Sequence, residues 1–318
     1  MKSRLIVNPV SGTDAAPDYL REINERLRGA LGELDIVMTG APGDALDSAE
    51  RAVREGYDRL FVAGGDGTLN EVLNGVAKVE GGLGRVTFGL IPLGTGNDFA
   101  QALGLPEDVG RAVEILLEGR EVAADVGVLN DRYFLNVSAG GFIAEVSDAV
   151  NPQLKTVAGK LAYLIGGAQV LFDYEHVDAR VRVVAEDGRE ESRELGLEMF
   201  AVCNSRMVGG GRLIAPHAVI DDGAFDVCLV EEMPTLEFLG LLSSVPGGDH
   251  IEDERVRYLR AREIDFSFSR PVKVNTDGEV LSTDHCRYRL LPRAARLLAG
   301  DTPYSEAAEV RGQRPEVS

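Results

Sequence analysis

The first 120 residues alternate between short apolar segments and amphipathic segments, and this alternation constrains the fold more than any other feature of the sequence. Between the apolar segments, hydrophobic residues recur at the three- and four-residue spacing of a helix. This alternation predicts βα units and a parallel sheet, in which ligands bind beyond the carboxyl ends of the strands. The segments with the composition of buried strands are residues 4–8, 34–39, 58–64 and 86–92.

After residue 120 the pattern changes to strand-like segments that are separated by turns. Apolar helical stretches interrupt them near residues 155–172 and 234–245. We therefore predict an α/β fold class with two domains: an α/β domain with a parallel sheet over residues 1–120, and a mainly-β domain, a sandwich or a barrel, over residues 121–287. Residues 301–318 are polar, contain Pro and Gly, and are predicted to be disordered.

The charge balance argues against one class of partner. The chain has 318 residues with 52 acidic and 33 basic side chains, a formal net charge of −19, whereas general nucleic-acid binding needs a basic surface. Its three cysteines are too widely spaced for a disulfide framework or a zinc motif. The N-terminus lacks a signal-peptide core, and no apolar run approaches the ~18 residues of a transmembrane helix. These features predict a cytoplasmic protein without a nucleic-acid partner.

The third strand passes into a helix through a stretch that is rich in glycine. Residues 60–75 read LFVAGGDGTLNEVLNG, and glycines there permit positive φ and lack a Cβ, so that phosphate oxygens could approach the main chain. Thr68 and Glu71 match a T-x-x-E capping box, and the N-terminus of a helix favours an anion. The carboxylate of Asp66 fits beside phosphates if Mg²⁺ lies between them. An ordinary turn with a solvated aspartate is the alternative interpretation.

Two other strand ends have a similar composition. NPVSG (8–12) follows the first strand, and IPLGTGNDF (91–99) ends the fourth, where Asp98 and Gln101 are candidates to cap the next helix. Three such ends in one sheet are difficult to explain as unrelated turns. The sequence contains no G-x-x-x-x-G-K-[ST] motif, and GTGNDF lacks the third glycine of a dinucleotide fingerprint.

Taken together, these segments resemble a known family. The order NPVSG, GGDGTLNEVLNG, PLGTGNDFA is similar to the diacylglycerol kinase catalytic family, in particular the soluble bacterial lipid kinases of the YegS-like type. The resemblance covers essentially residues 4–300, since the second domain contributes DVGVLNDRYFLNVSAGGF, CNSRMVGGGRLIAPHAVIDDGAFDV and VNTDGE in the same order. GGDGT alone is shared with NAD kinases and phosphofructokinases, whereas the ordered set is specific.

The resemblance implies an ATP- and Mg²⁺-dependent lipid kinase in which Glu279 accepts a proton. Asp66 would act through the catalytic Mg²⁺, with Asp98 and Asp125 in its water network. ATP would be held by Asn8, Pro9, Val10, Ser11, Gly12, Thr39, Gly65, Asp66, Gly67, Thr68, Leu69, Asn70, Glu71 and Thr95.

The resemblance also implies a second, structural Mg²⁺ and a particular path of the chain. That Mg²⁺ would be bound by the side chain of Asp222 and the main-chain carbonyls of Val219 and Ala224, although a plain β-turn is the alternative there. The C-terminal segment, about residues 288–300, would return to complete the first domain.

The expected reaction is transfer of the ATP γ-phosphoryl group to a lipid hydroxyl, with diacylglycerol or a related lipid as acceptor. The implied partners are a lipid substrate and a transient membrane surface, and a homodimer would also fit the family. Residues 255–262 concentrate four arginines that could meet lipid phosphate or form a solvated face. The apolar segments 162–172 and 238–245 could line an acyl-chain groove or form core helices.

Two other functions are alternatives to lipid phosphorylation. An NAD kinase would be expected to carry a segment like N-x-G-x-L-G-F-L after the fourth strand, where this chain has PLGTGNDFAQALGL. A non-catalytic regulator that binds nucleotide or lipid is the other alternative. The presence of Asp66, Thr95 and Glu279 argues against a decayed enzyme.

Overall fold

The computed structural model describes residues 1–11, 16–149 and 174–301. Its N-terminal part alternates strands and helices as the apolar periodicity predicts, with strand boundaries within one or two residues of those expected. The elements are β1 (Ser3–Val7), α1 (Ala16–Leu31), β2 (Leu34–Met38), α2 (Asp44–Arg54), β3 (Arg59–Gly64), α3 (Asp66–Ala77), β4 (Thr87–Pro92), α4 (Asp98–Ala102) and α5 (Val109–Glu118).

The first four strands form the parallel sheet that the sequence predicts. Their order is β4-β3-β1-β2, and every neighbouring pair is parallel. All residues of β1 and β4 are buried, which explains why these strands read as continuous apolar runs rather than alternating ones. Because the strands are parallel, the loops after β1, β3 and β4 meet at one edge of the sheet.

The C-terminal part is mainly antiparallel. Its longest strands carry an aromatic core in which Phe200 stacks on Phe266 and Tyr288 meets Phe134 edge to face. The elements are β5 (Glu121–Leu129), β6 (Arg132–Phe134), β7 (Val137–Gly141), α6 (Phe142–Ala149), β8 (Val177–Val184), β9 (Glu190–Cys203), β10 (Met207–Val208), β11 (Arg212–Leu213), β12 (Phe225–Glu231), α7 (Thr235–Ser244), β13 (Val256–Ala261), β14 (Glu263–Thr276) and β15 (Glu279–Leu298).

One long strand joins the two parts. β15 begins antiparallel to β14 and ends parallel to β4, where Arg296 pairs with Thr87. β5 pairs antiparallel with the second half of β15, from Tyr288 to Leu298. The first residues of β15 therefore lie in the antiparallel part, and its last residues lie in the parallel sheet. The domain division near residue 120 stays a prediction.

The apolar segment near residues 234–245 forms α7. Phe238, Leu241 and Val245 are buried, as expected for a core helix, whereas Leu236 is 82% exposed and Leu239 is 44% exposed. The other apolar segment, 162–172, and residues 302–318 of the predicted tail lie outside the described residues. None of the described helices is long and apolar enough to span a membrane.

The arginine-rich stretch 255–262 lies on and around β13, and its positive charge is largely offset. Three of its four arginines are ion-paired with carboxylates from neighbouring elements, which argues against a free basic surface. The pairs are Arg255–Glu237, Arg257–Glu231, Arg260–Glu186 and Arg260–Asp222.

Candidate active site

The loops after β1 and β3 are joined by side chains at the carboxyl edge of the sheet. The Asn8 side-chain amide donates to Thr68 Oγ1 at 3.0 Å. Thr39, at the end of β2, donates its N–H to the carbonyl of Val7 at 2.9 Å. Three sequence segments that were predicted to contribute to one site therefore lie side by side.

The loops after β3 and β4 approach each other at two glycines. A Cβ on Gly94 would lie 2.6 Å from Gly65 Cα, which is closer than a real Cβ contact allows. The glycines of the 64–67 stretch do not use the positive φ that glycine permits, because none of them has a left-handed backbone. Gly65 and Gly94 are needed for close approach of two main chains, whereas a Cβ on Gly67 would project into open space.

Helix α3 begins at Asp66 without a side-chain cap, so the predicted capping box is also wrong. Thr68 Oγ1 accepts from Asn8, and Glu71 Oε2 accepts from the N–H of Gly43 at 3.1 Å. Both side chains bind neighbouring loops instead of the first turn of their own helix. The N–H groups of that turn remain available for an anion.

Two carboxylates flank Gly96 at the end of β4. A Cβ on Gly96 would lie 3.4 Å from an oxygen of Asp66 and 3.4 Å from an oxygen of Asp98. Asp66 accepts hydrogen bonds from the main-chain N–H groups of Asp98, at 3.1 Å, and of Phe99, at 3.0 Å. Asp98 is the first residue of α4, and Asn97 before it has a φ of 51°, so that the chain turns sharply here.

The C-terminal domain also reaches Asp98, through the tip of the β10–β11 hairpin. The N–H of Gly211 donates to its carboxylate at 2.7 Å, and that of Gly210 donates at 3.0 Å. Gly209, Gly210 and Gly211 all have positive φ. Sequence reasoning missed these donors, although three consecutive glycines are a signal for such a backbone. It also treated Asp98 as a helix cap, whereas its carboxylate bridges the two domains.

The electrostatics of Asp66 fit a bound cation. Burial raises the pKa of Asp66, the N–H groups of Phe99 and Asp98 oppose that effect, and the charge of Asp98 raises the pKa further. A divalent cation between the two carboxylates would relieve the repulsion. No cluster of three His, Cys, Asp or Glu side chains forms a metal site in the described ranges. Two carboxylates do fit Mg²⁺, because this ion keeps waters and takes substrate phosphates as ligands.

Asp125 lies at the centre of a different network. The N–H of Gly223 and the N–H of Arg293 each donate to one of its oxygens at 2.7 Å. Burial raises the pKa of Asp125, and these two N–H groups counteract that effect. The structure therefore places Asp125 against the loop of Asp222. Its predicted membership in a water network around Mg²⁺ stays a prediction.

The predicted structural Mg²⁺ site around Asp222 already holds a positive group. Asp222 Oδ2 lies 2.9 Å from Arg260 Nη2, and the N–H of Ala224 donates to Asp222 Oδ1 at 3.3 Å. The Arg260 guanidinium would have to move before a divalent ion could take this carboxylate oxygen. The predicted metal site of Val219, Asp222 and Ala224 stays a prediction.

Glu279 is exposed at the first position of β15, directly after the two-residue turn that follows β14. The preceding turn residue, Asp277, accepts from the side-chain amide of Asn70 on α3 at 3.2 Å. The charge of Asp66 contributes to the raised pKa of Asp277, so the turn lies near the carboxylates. The hairpin that carries Glu279 thus meets the helix that begins at Asp66.

The other predicted ATP-binding residues differ in their exposure. Leu69 is buried in the core, so that only its main chain could face a ligand. Val10 and Thr95 are exposed on the loops around the site. Gly12 lies outside the described residues.

Comparison with known proteins agrees with these features. The diacylglycerol kinase catalytic domain model matches residues 2–129, and the YegS C-terminal NAD kinase beta sandwich-like domain model matches residues 136–299. A protein named diacylglycerol kinase from Staphylococcus carnosus is 38% identical over 278 residues, covering 87% of this chain and 88% of that protein. The chain belongs to the diacylglycerol kinase family. A Bacillus subtilis protein of the same name is 34% identical, covering 87% of this chain and 89% of that protein.

The fold of this chain is also similar to that of a solved structure. A diacylglycerol kinase from Bacillus anthracis has a TM-score of 0.72 at 25% identity, covering 94% of this chain and 97% of that one. The predicted family and the two-domain fold class, with a sandwich-like C-terminal domain, are thereby confirmed. Because the matched domain and relatives bear the name of a lipid kinase, the prediction of a lipid kinase is also confirmed at the level of the family.

Proposed function

We propose that this protein transfers the γ-phosphoryl group of ATP to a hydroxyl group of a lipid, diacylglycerol or a related lipid. The observation that carries the proposal is the meeting of α3, the carboxylates of Asp66 and Asp98, and the hairpin of Glu279. The helix offers N–H donors to phosphate, the carboxylates suit Mg²⁺, and the hairpin offers a proton acceptor. These are the parts that phosphoryl transfer requires.

The phosphates of ATP are proposed to bind at the first turn of α3. Its uncapped N–H groups point to the strand-end edge, and the space beside Gly67 is open. The hydrogen bond from Asn8 to Thr68 holds the first loop against this turn. The proposed contacts come from Asn8, Pro9, Val10, Ser11, Gly12, Thr39, Gly65, Asp66, Gly67, Thr68, Leu69 (main chain), Asn70, Glu71 and Thr95.

The metal that we propose is Mg²⁺, with Asp66 as its direct or water-mediated ligand and Asp98 close to it. When bound, Mg²⁺ offsets the negative charge on the phosphates. The N–H groups of Phe99 and Gly211 orient Asp66 and Asp98, respectively, without neutralising either carboxylate. Both carboxylates are therefore held by main-chain groups before a metal binds, which favours a preorganised site.

Glu279 is the proposed general base. It takes the proton of the lipid hydroxyl while the hydroxyl oxygen forms a bond to the γ-phosphorus. The bond from that phosphorus to the β–γ bridging oxygen breaks, and ADP leaves with the electron pair. Exposure of Glu279 at the end of a hairpin leaves room for an acceptor that arrives from outside the protein.

The lipid acceptor implies transient contact with a membrane surface, and α7 supports that proposal. Leu236 and Leu239 lie on one face of this helix and are exposed, while Phe238 is buried. We expect the double variant Leu236→Ser, Leu239→Ser to bind liposomes at least about 100-fold more weakly, because each inserted leucine contributes roughly 1.5–3 kcal/mol when fully buried and about 1.4 kcal/mol is a tenfold change. Co-sedimentation at low salt measures this.

Tyr19→Ser, which changes an exposed apolar residue of α1, is the control for that experiment. Equal liposome binding by the double variant and the unchanged protein would remove α7 as a contact. Peripheral membrane contact is proposed on this basis, while a cytoplasmic location and a homodimer stay predictions.

The test of the proposed function is transfer of label from γ-labelled ATP, with Mg²⁺, into micelles that contain one lipid alcohol at a time. Diacylglycerol, phosphatidylglycerol, a sphingoid base and a polyprenol form the panel. Label in one lipid establishes the kinase and identifies its acceptor. ATP binding without label in any lipid would contradict the proposal and favour a binding protein.

A further inference from the structure

The turn before Glu279 has a defined geometry. Asp277 and Gly278 form a two-residue connection between β14 and β15, with φ values of 48° and 96°, and Thr276 pairs with Glu279 across it. Two positive φ values and a D-G sequence are typical of the type I′ turn that closes a tight hairpin. The turn fixes where Glu279 begins its strand. β14 pairs with β7 as far as Thr276, and the N–H of Asp277 donates to the carbonyl of Val137 at 3.1 Å, so that main-chain bonds hold the hairpin to β7.

The carboxylate of Asp277 adds a second attachment, at the turn itself. It accepts from three consecutive main-chain N–H groups of the β6–β7 connection and from one side-chain amide. The donors are Leu135 N at 2.8 Å, Val137 N at 2.9 Å, Asn136 N at 3.2 Å and Asn70 Nδ2 at 3.2 Å. Because the donors come from two separate elements, the carboxylate ties the hairpin to both.

The amide of Asn70 connects this attachment to the phosphate side. Asn70 lies one helical turn after Asp66 on α3, and its Nδ2 also donates to the carbonyl of Tyr133 at 3.0 Å. Asn74, one turn further, accepts from the N–H of Tyr133 at 3.0 Å and donates to its carbonyl at 2.9 Å. The helix, the β6–β7 connection and the hairpin therefore form one hydrogen-bonded unit.

We infer that Asp277 is a positioning residue, which holds the hairpin of Glu279 at a fixed distance from the first turn of α3. This inference rests on the proposed function, in which α3 binds the phosphates and Glu279 is the base. The turn lies beyond the last β14–β7 pair, so that without the bonds of its carboxylate to α3 and to the β6–β7 connection the exposed Glu279 beside it would be held less closely to α3. Misplacement by about 1 Å is enough to reduce a rate by ~10²-fold. Asp277 thus acts through Glu279 and does not itself touch the substrate.

The charge of Asp277 agrees with a role beyond folding. Burial raises the pKa of Asp277 to about 6, the N–H groups of Leu135, Val137 and Asn136 oppose this shift, and the charge of Asp66 adds to it. Because the pKa of Asp277 is higher in the folded protein than in the unfolded chain, stability falls as the pH rises and this carboxyl group ionises. An uncharged side chain at this position avoids that cost, although an amide replaces one acceptor oxygen with an NH₂ donor.

Asp277→Asn is the informative substitution, because Asn-Gly is itself a preferred type I′ sequence and keeps the turn. Asn can offer only one acceptor oxygen to the donors that the carboxylate now binds. We expect kcat to fall about tenfold, with KM for ATP changed less than about twofold, since only the position of the base changes. The measurements are initial rates of label transfer and the midpoint of thermal unfolding.

The decisive comparison is the same substitution in a Glu279→Gln background. If Asp277 acts only through Glu279, Asp277→Asn causes less than about a twofold further loss there, so that the two effects are not additive. An additional tenfold loss would mean a general structural role and would overturn the inference. So would an unchanged kcat in the single variant.

Two further variants complete the test. Asp187→Asn alters the D-G turn of the β8–β9 hairpin, where Asp187 accepts from the N–H of Arg189 at 2.9 Å, and is expected to leave kcat unchanged. If Asp277→Asn does not fold, Asp277→Glu keeps the charge but displaces the hairpin, and the same loss of kcat is expected. Full activity of Glu279→Gln alone would refute the proposed base and the positioning role with it, whereas an additive loss in the double variant would overturn the positioning role only.

Discussion

Glu279→Gln is expected to lower kcat by about 10²- to 10⁴-fold, the usual range for removal of a general base. The amide keeps the size of the side chain but cannot accept the proton of the attacking hydroxyl. The fold should be unaffected, because Glu279 is exposed and no side-chain hydrogen bond or ion pair joins it to the described part of the protein. Steady-state label transfer, ATP binding and thermal unfolding are the three measurements.

Asp284→Asn is the control for that experiment, since Asp284 is another exposed acid on the same strand. It should retain the activity and the unfolding midpoint of the unchanged protein. Binding of ATP to Glu279→Gln should also be unchanged, because the base faces the acceptor. Full turnover by Glu279→Gln would remove this residue from the mechanism.

Much of the parallel sheet could be predicted from the sequence. β1 and β4 are buried on both faces, so their apolar runs mark them without ambiguity. The carboxyl ends of such strands must share an edge, which brought NPVSG, GGDGT and GTGND together before any contact was known. The approach of Gly65 to Gly94 is the structural consequence, with the two main chains too close for a side chain.

The local partners could not be predicted in the same way. A T-x-x-E pattern satisfies the rule for a capping box, but Thr68 and Glu71 find partners in Asn8 and Gly43, which are distant in sequence. A tertiary hydrogen bond competes with the local one on nearly equal terms, and sequence spacing reports only the local one. Long-range partners decide the outcome here.

Contacts between the two domains could not be predicted from the sequence either. Asp98 is bound by Gly210 and Gly211, and Asp277 is bound by Asn70, across separations of more than a hundred residues. The ion pair of Asp222 with Arg260 lies within the C-terminal domain, but it too depends on the fold, which brings β13 to that loop. The resemblance implied a metal site at Asp222 and gave no sign of the guanidinium beside it.

Gly67→Ala is expected to weaken ATP binding about 100-fold while making the fold more stable. Gly67 is the second residue of α3, its φ is not left-handed, and a Cβ there would meet no protein atom within 4 Å. Alanine at such a position stabilises a protein by roughly 0.4–1 kcal/mol. If phosphate occupies the open space, the methyl group displaces it from the N–H donors of the first turn.

The size of that loss follows from the bonds involved. Hydrogen bonds to charged groups contribute roughly 1.5–3 kcal/mol each, and about 1.4 kcal/mol corresponds to a tenfold change in affinity, so the loss of one or two bonds gives the predicted effect. Calorimetric titration with ATP and thermal unfolding without nucleotide measure the two quantities on the same variant. Opposite changes in stability and affinity would separate a phosphate contact from general damage to the loop.

Gly29→Ala is the matched control, because Gly29 lies in α1, also has open space around it and is not at the strand-end edge. It should gain a similar stability and bind ATP as the unchanged protein does. If Gly67→Ala also bound ATP normally, the phosphates could not lie against the first turn of α3. The uncapped N–H groups there, together with Asp66, would then need a different ligand. The position of Glu279 relative to α3 would no longer support its role as the general base.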